Sequence, residues 1–287
     1  MREIGGYIEF ETYGGRDFYE GAIALNCGRN CLAYLLEART ISKVYIPYFL
    51  CDSVRKVCLR MGVNWEYYHI DRAFRPVFKG DLAPDEYLYI VNYYGQLDQD
   101  MILSLKRRYG RVIVDQAQAF FERPLTGVDT LYTCRKFFGV ADGAYLFTDA
   151  KLTRTLPLDT SGPRMAFLMG RFEEGANAYY PQYVENNRRF EQEPVKRMSR
   201  LTQNLLRAID YDAVAKKRRD NFAMLDELLG EINALKVRAD QGPYMYPLML
   251  SNGGAVRKAL QQRRIYVPIL WPDVYQVCGP QDLEWHG

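Results

Sequence analysis

"RVIVDQAQAF", residues 111–120, is the stretch on which the reading of this 287-residue chain turns. Val112, Ile113 and Val114 form a short apolar run rich in β-branched side chains, the pattern of a strand buried within a sheet. Asp115 follows at once, and Gln118 stands three positions on. An unpaired buried carboxylate is expensive, so Asp115 requires a cationic partner or water. The rest of the chain must supply it.

Outward from this stretch the first half alternates strand-like and helix-like segments. "KVYIP" (43–47), "WEYYHID" (65–71), "EYLYIVNYYG" (86–95), "RVIV" (111–114), "TLYT" (130–133) and "AYLFT" (144–148) read as strands. "CDSVRKVCLRMG" (51–62) sets Val54, Val57, Cys58 and Met61 on one helical face, and Gly62 stops it. "QDMILSLKRRYG" (99–110) is a helix whose basic last turn suits the helix dipole. This alternation predicts βαβ units and a mostly parallel sheet. Sites in such folds collect at the carboxyl ends of the strands, where Asp115 falls. After residue 150 the texture changes. Residues 197–235 are charged and helical in period, and 244–250, 253–265 and 266–271 read as strand, helix and strand. The expected division is a large domain over 1–235, including a long connecting helix, and a small, short α+β domain over 236–287.

Composition narrows the chemistry. A hydrophobic fraction of 48% with 25% charged residues is that of a soluble globular domain, not a disordered one. A net charge of +3 gives no support to nucleic-acid binding. The polar, alternating N-terminus is unlike a signal peptide, and no apolar run approaches a membrane span. The expectation is a cytoplasmic protein. The six cysteines form no C-x-x-C pair, so no zinc site is expected, and in the cytoplasm they are free thiols. With only His69 and His286 present, and His69 in a strand-like run, histidine triads and histidine metal sites are poorly supported. A lysine, a carboxylate, a tyrosine or a cofactor must carry any chemistry.

Four segments gather chemistry-bearing residues. In "LNCGRNCLAYLLEA" (25–38), Gly28 and Arg29 open an amphipathic helix with Leu32, Leu35 and Leu36 inward, and a glycine-led helix start presents free N–H groups to an anion. Taken alone, the commoner meaning of this pattern is an ordinary glycine turn. Asp115 with Gln118 is the second segment. In "YTCRKFFGVADGAYLFT" (132–148), Lys136 follows a strand and has Arg135 beside it. A desolvated lysine near a second cation has its ammonium form disfavoured, the setting of Schiff-base lysines; the alternative is a solvated turn. In "NYYGQLD" (92–98), Asn92 and Tyr94 precede Gly95, which fits a site edge or simply a tyrosine-rich strand end.

The chain order of a glycine-led helix, an acid-ended strand and a lysine about 20 residues later resembles the pyridoxal phosphate enzymes of the aspartate-aminotransferase fold. The sequence is similar to the DegT/DnrJ/EryC1/StrS family of sugar aminotransferases. "CGRNCLAYLL" resembles the family's S-G-T-x-A-L segment, "KVYIPYFLCDSV" its P-x-[FY]-T segment, and "IVNYYGQLD" its V-H-x-Y-G-Q strand end. "VIVDQAQAF" resembles V-I-E-D-A-A-Q-A, "RKFFGVADGAYLFT" resembles K-N-x-G-x-G-E-G-G-A-V-V-T, and "KRMSRLTQNLL" resembles Y-R-M-S-E-I-Q-A-A. These run in order over most of the chain.

The resemblance implies a three-layer α/β/α large domain with a mostly parallel sheet, that of fold type I. It implies pyridoxal 5'-phosphate, with Lys136 as Schiff-base lysine and proton shuttle and Asp115 against the pyridinium nitrogen. It places Gln118 on the ring or phenolic oxygen, the backbone of Gly28 and Arg29 on the phosphate with Asn30 close by, the Thr133 hydroxyl near that phosphate, and Tyr94 on the substrate side. It implies a homodimer that moves an amino group from glutamate or a similar donor to a nucleotide-linked keto sugar, in polysaccharide or secondary-metabolite synthesis. This chain also departs from the pattern. Cys51 stands where the family often has a ring-stacking aromatic, so either Cys51 packs there or Tyr48 or Phe49 substitutes. Val195 aligns with the Asn that reaches a neighbouring subunit's phosphate, and Ala144 replaces the second glycine. The chain stops at "DLEWHG", before the family's final strand and helix. Family members that dehydrate sugars carry a histidine at the lysine position, and residue 136 is lysine. A degenerate, non-enzymatic binding module is the rival reading.

Overall fold

The structure is a computed structural model that describes residues 4–279 and 282. Its centre is an eight-stranded sheet in the order β1-β8-β7-β6-β5-β2-β3-β4. The strands are β1 (Ile23–Leu25), β2 (Lys43–Pro47), β3 (Asn64–Ile70), β4 (Pro76–Val77), β5 (Glu86–Val91), β6 (Val112–Asp115), β7 (Asp129–Thr133) and β8 (Ala144–Phe147). Neighbours from β3 through β2, β5 and β6 to β7 run parallel, while β4, β8 and β1 each pair antiparallel. The second reversal, at β1, restores the direction of β7. The carboxyl ends of β1, β2, β5, β6 and β7 therefore share one edge of the sheet.

Helices cover the sheet because its strands are apolar on both faces. In β7, Leu131 belongs to one core and Tyr132 to another; in β8, Ala144 and Leu146 face the first and Tyr145 the second. The period of two thus separates two cores. The first takes the buried sides of α1 (Gly28–Ala38) and α2 (Asp52–Met61) and also includes Ile102 of α3 (Gln99–Tyr109). The second is aromatic, with Tyr19, Phe120, Phe121 and Tyr132 meeting Leu206 of α6 (Arg200–Leu206) and Ala215 of α7 (Tyr211–Leu229). This is the α/β/α arrangement expected. Between them α4 (Ala166–Glu173) and α5 (Tyr180–Arg189) lie on the outside, with Phe172 92% exposed. Helices α8 (Gly253–Gln262) and α9 (Val274–Val277) close the described chain. Among the described residues no helix is long and apolar enough to cross a membrane.

Strand and helix limits in the first half follow the sequence reading closely. Gly62 ends α2 in the left-handed conformation at φ 67°, which a residue without Cβ adopts at little cost. Two expectations in the second half need correction. The helical stretch over 197–235 is two helices. Ser199 and Asp210 each cap a new start, accepting from Thr202 N–H and Ala213 N–H, and such caps favour a helix beginning over a helix interior. Residues 244–250 and 266–271 form no strand. Pro247 and Pro268 have no N–H to give a ladder, and Met249 N–H donates instead to the Asn233 side chain at 3.0 Å.

Candidate active site

Asp115 ends β6, is 8% exposed and lies level with Val91 of β5 and Leu131 of β7. The sheet carries it inward, and two hydrogen bonds receive it. The Tyr89 hydroxyl donates to Oδ2 at 2.7 Å and Ala117 N–H donates to Oδ1 at 2.7 Å. Burial pushes the carboxyl up from its ordinary range, and Lys136 is the largest influence opposing that rise. Lys136 is thus the cation whose field acts on Asp115, while the direct contacts are a phenol and an amide.

Lys136 lies in the turn after β7 and is open to solvent. Its ammonium is nevertheless pushed down by burial, with Asp115 and then Cys51 acting against that shift. A side chain that solvent reaches but protein largely surrounds is at the floor of a cleft. Its Nζ lies 5.4 Å from the centre of the Tyr244 ring, which brings that residue to the site. Arg218 holds that segment down, donating to the carbonyls of Pro243 and Tyr244 at 3.3 and 3.2 Å.

Gln118 is 2% exposed; its Oε1 accepts from Tyr94 N–H at 2.9 Å, and its Nε2 has no partner among the described residues. Orphaned buried donors are rare in folded proteins and mark places where another group is received. Tyr94 itself is 7% exposed and sits at φ 52°, a left-handed conformation costly for a tyrosine. The Gln118 hydrogen bond holds it there. Gly95 follows at φ 74°, and a Cβ on it would fall within 2.0 Å of Asp240 Oδ2.

The start of α1 lies over the end of β7. A Cβ on Gly28 would meet Thr133 Cβ and Leu131 Cδ1 at 3.9 Å. Cys27 is the N-cap and no side chain caps the first amides, so the helix start is free to receive an anion. Asn30 is not free for this. It is fully buried and donates to Asn26 Oδ1 and the carbonyls of Pro194 and Glu193, while accepting from Arg60. It ties α1 to the chain around 194 rather than lining the cleft with its side chain. Val195 is buried and apolar.

Cys51 is the N-cap of α2 and lies near enough to Lys136 to influence it. Tyr48 stacks on Tyr67 at 4.8 Å, and Phe49 packs edge-on to Trp271 at 4.7 Å. Of the three, Cys51 is the one among the influences on Lys136. Sequence reasoning passed over Tyr89 and Tyr244, two of 23 tyrosines with no pattern to single them out.

No family profile matches the sequence, and no curated protein does. Solved structures do. A DegT DnrJ EryC1 StrS aminotransferase from Brucella abortus aligns with 88% of this chain and 71% of its own length, at a TM-score of 0.58 and 15% identity. The sugar aminotransferase CalS13 from Micromonospora echinospora aligns over 90% and 77%, with a TM-score of 0.58 and 17% identity. The putative sugar aminotransferase Spr1654 from Streptococcus pneumoniae, in its PLP form, aligns over 88% and 74%, with a TM-score of 0.57 and 11% identity. The chain has the fold of the sugar aminotransferases, in a sequence far diverged from these solved examples.

Proposed function

We propose that this chain is a pyridoxal-phosphate-dependent aminotransferase acting on a keto sugar. The carrying observations are Lys136, surrounded by protein in the turn after β7 and electrostatically matched to buried Asp115, and the orphaned Nε2 of buried Gln118. These residues fit the cofactor. Gln118 offers a donor with nothing to bind, Asp115 offers a buried carboxylate for a ring N–H⁺, and the uncapped start of α1 with Thr133 offers donors for a phosphate. When bound, pyridoxal phosphate supplies an aldehyde that condenses with amines and a ring that stores the electron pair released at the substrate carbon.

The chain's own groups do the rest. Burial lowers the Lys136 ammonium, so free amine is available nearer neutral pH than for an ordinary lysine. That amine is the nucleophile and then the base and acid that moves a proton at the substrate carbon. Asp115, steadied by Tyr89 and Ala117, stays oriented toward the cleft. Tyr94 and Tyr244 wall the substrate side. Glutamate or a similar amino acid as donor, a nucleotide-linked keto sugar as acceptor, a homodimeric state, a cytoplasmic setting and the division into 1–235 and 236–287 belong to the same proposal.

The test is the visible absorbance of the full chain mixed with pyridoxal phosphate, followed by borohydride reduction and peptide mapping. A new band and a label confined to Lys136, both lost in Lys136→Ala, support the reading. A label scattered over surface lysines overturns it. Incubation with glutamate then reports transfer as conversion of the cofactor to its pyridoxamine form; failure with every amino donor points to a binding protein.

A further inference from the structure

Three guanidiniums surround the start of α1 without a carboxylate among their hydrogen-bond partners in the described residues. Arg29 Nη1 donates to the Asn187 carbonyl at 2.9 Å. Arg135 Nη2 donates to the Oδ1 of the same asparagine, and its guanidinium lies 4.6 Å from the centre of the Phe190 ring. Arg60 reaches the carbonyls of Glu191 and Glu193 and the Oδ1 of Asn30. All of these acceptors are neutral, and Arg135 Nε is buried with no partner among the described residues. Cys27, at the head of the helix, lies within the field of all three.

The carboxylates nearby are already matched. Asp159 pairs with Arg164 at 2.6 Å and with Lys196 at 3.6 Å, and Glu193 pairs with Lys196 and with Arg189 at 2.5 Å. Arg29 meanwhile repels both Arg135 and Arg60. Like charges gathered around a helix start, where the dipole is also positive, are unfavourable unless an anion joins them. Arg60 has both of its terminal nitrogens engaged. Arg29 and Arg135 share one asparagine and keep donors to spare.

We propose that Arg29 and Arg135 of a single chain clamp a phosphate monoester dianion seated on the first amides of α1. This rests on the cofactor reading above, in which that monoester is the one pyridoxal phosphate carries. Arg135, adjacent to Lys136, then anchors the end of the cofactor opposite the one Lys136 engages. Guanidinium forks suit phosphate, and a charged hydrogen bond carries about tenfold to a hundredfold in affinity.

The experiment is an absorbance titration of the full chain with pyridoxal phosphate and with pyridoxal, which lacks the phosphate. A parallel measurement follows melting temperature against inorganic phosphate. The wild type is expected to bind pyridoxal phosphate far more tightly than pyridoxal. Arg135→Gln and Arg29→Gln should each weaken pyridoxal phosphate by about tenfold or more while leaving pyridoxal nearly unchanged. Variants that keep the wild-type preference overturn the clamp, and so does an equal loss of both ligands. A wild type that binds neither aldehyde, yet is stabilised by inorganic phosphate only while Arg135 is present, keeps the clamp and removes the cofactor.

Discussion

The hydroxyl of Tyr89, midway along β5, donates a 2.7 Å hydrogen bond to Oδ2 of Asp115 at the end of β6. The two strands lie side by side in parallel, and the pair is buried. The bond favours the ionised carboxyl, which burial opposes. Tyr89→Phe should therefore raise the Asp115 pKa further. It should destabilise the fold by about 1.5–3 kcal/mol, the usual worth of a hydrogen bond to a charged group. The acid limb of the pH–rate profile moves to higher pH. Denaturant melts and that profile together check it; an unmoved acid limb would remove Tyr89 from the site.

Asp115 supports the ammonium form of Lys136 while burial opposes it. Replacing Asp115 by Asn keeps the shape and removes the charge. The Lys136 pKa then falls further, and more of the side chain is free amine at pH 7. An amine-reactive reagent, read by peptide mapping in the absence of pyridoxal phosphate, should label Lys136 faster in Asp115→Asn than in the wild type. Slower labelling would contradict the coupling.

Asp240 docks the segment before Tyr244 onto Gly95, with one oxygen accepting from Gly242 N–H at 2.8 Å and the other without a partner among the described residues. Burial pushes its carboxyl up to about 7. The folded chain thus holds this proton more tightly than the unfolded chain, where the pKa is about 3.9. The stabilisation is complete below about pH 4 and is lost as pH rises through 7, a fall of about 4 kcal/mol. Asp240→Asn should flatten that part of the stability curve, so the difference in melting temperature between pH 5 and pH 8 shrinks. An identical difference in wild type and variant would sink the assignment.

Arg39 holds Asp129 with Nε to Oδ2 at 3.0 Å and Nη2 to Oδ1 at 2.8 Å, and the Asp129 side chain is 7% exposed. Arg39→Ala leaves that carboxylate with the Thr148 hydroxyl alone as its strong partner. The expected cost is about 3 kcal/mol, the low end for a broken buried pair because the Arg39 side chain is 27% exposed, seen as a lower melting temperature. The absorbance band with pyridoxal phosphate should survive at temperatures where the variant is folded, because this pair joins β7 to α1 at the strand end opposite the cleft. Loss of the band in folded protein would count against that separation.

Local pattern was enough for much of this. The run Val112–Val114, the stop at Gly62 and the alternation of short apolar runs with amphipathic helices depend on neighbours in sequence, so strands and helices of the first half are legible in it. So was the expense of a carboxylate at a buried strand end, which pointed from Asp115 to a cation before any contact was known. Other features arise only when distant segments meet. Tyr89 is singled out by the β5–β6 register and Tyr244 by the docking of 243–244 under Arg218. Asn30, grouped in sequence with the anion-binding helix start, turns its side chain to residues 193–194 instead. The unpaired charge of Arg29 and Arg135 exists because the fold gives them one shared asparagine and no acid. Residues 244–250 and 266–271 have the hydrophobic pattern of strands without strand partners. Periodicity reports which side of a segment is apolar, but only tertiary structure supplies the backbone that completes its hydrogen bonds.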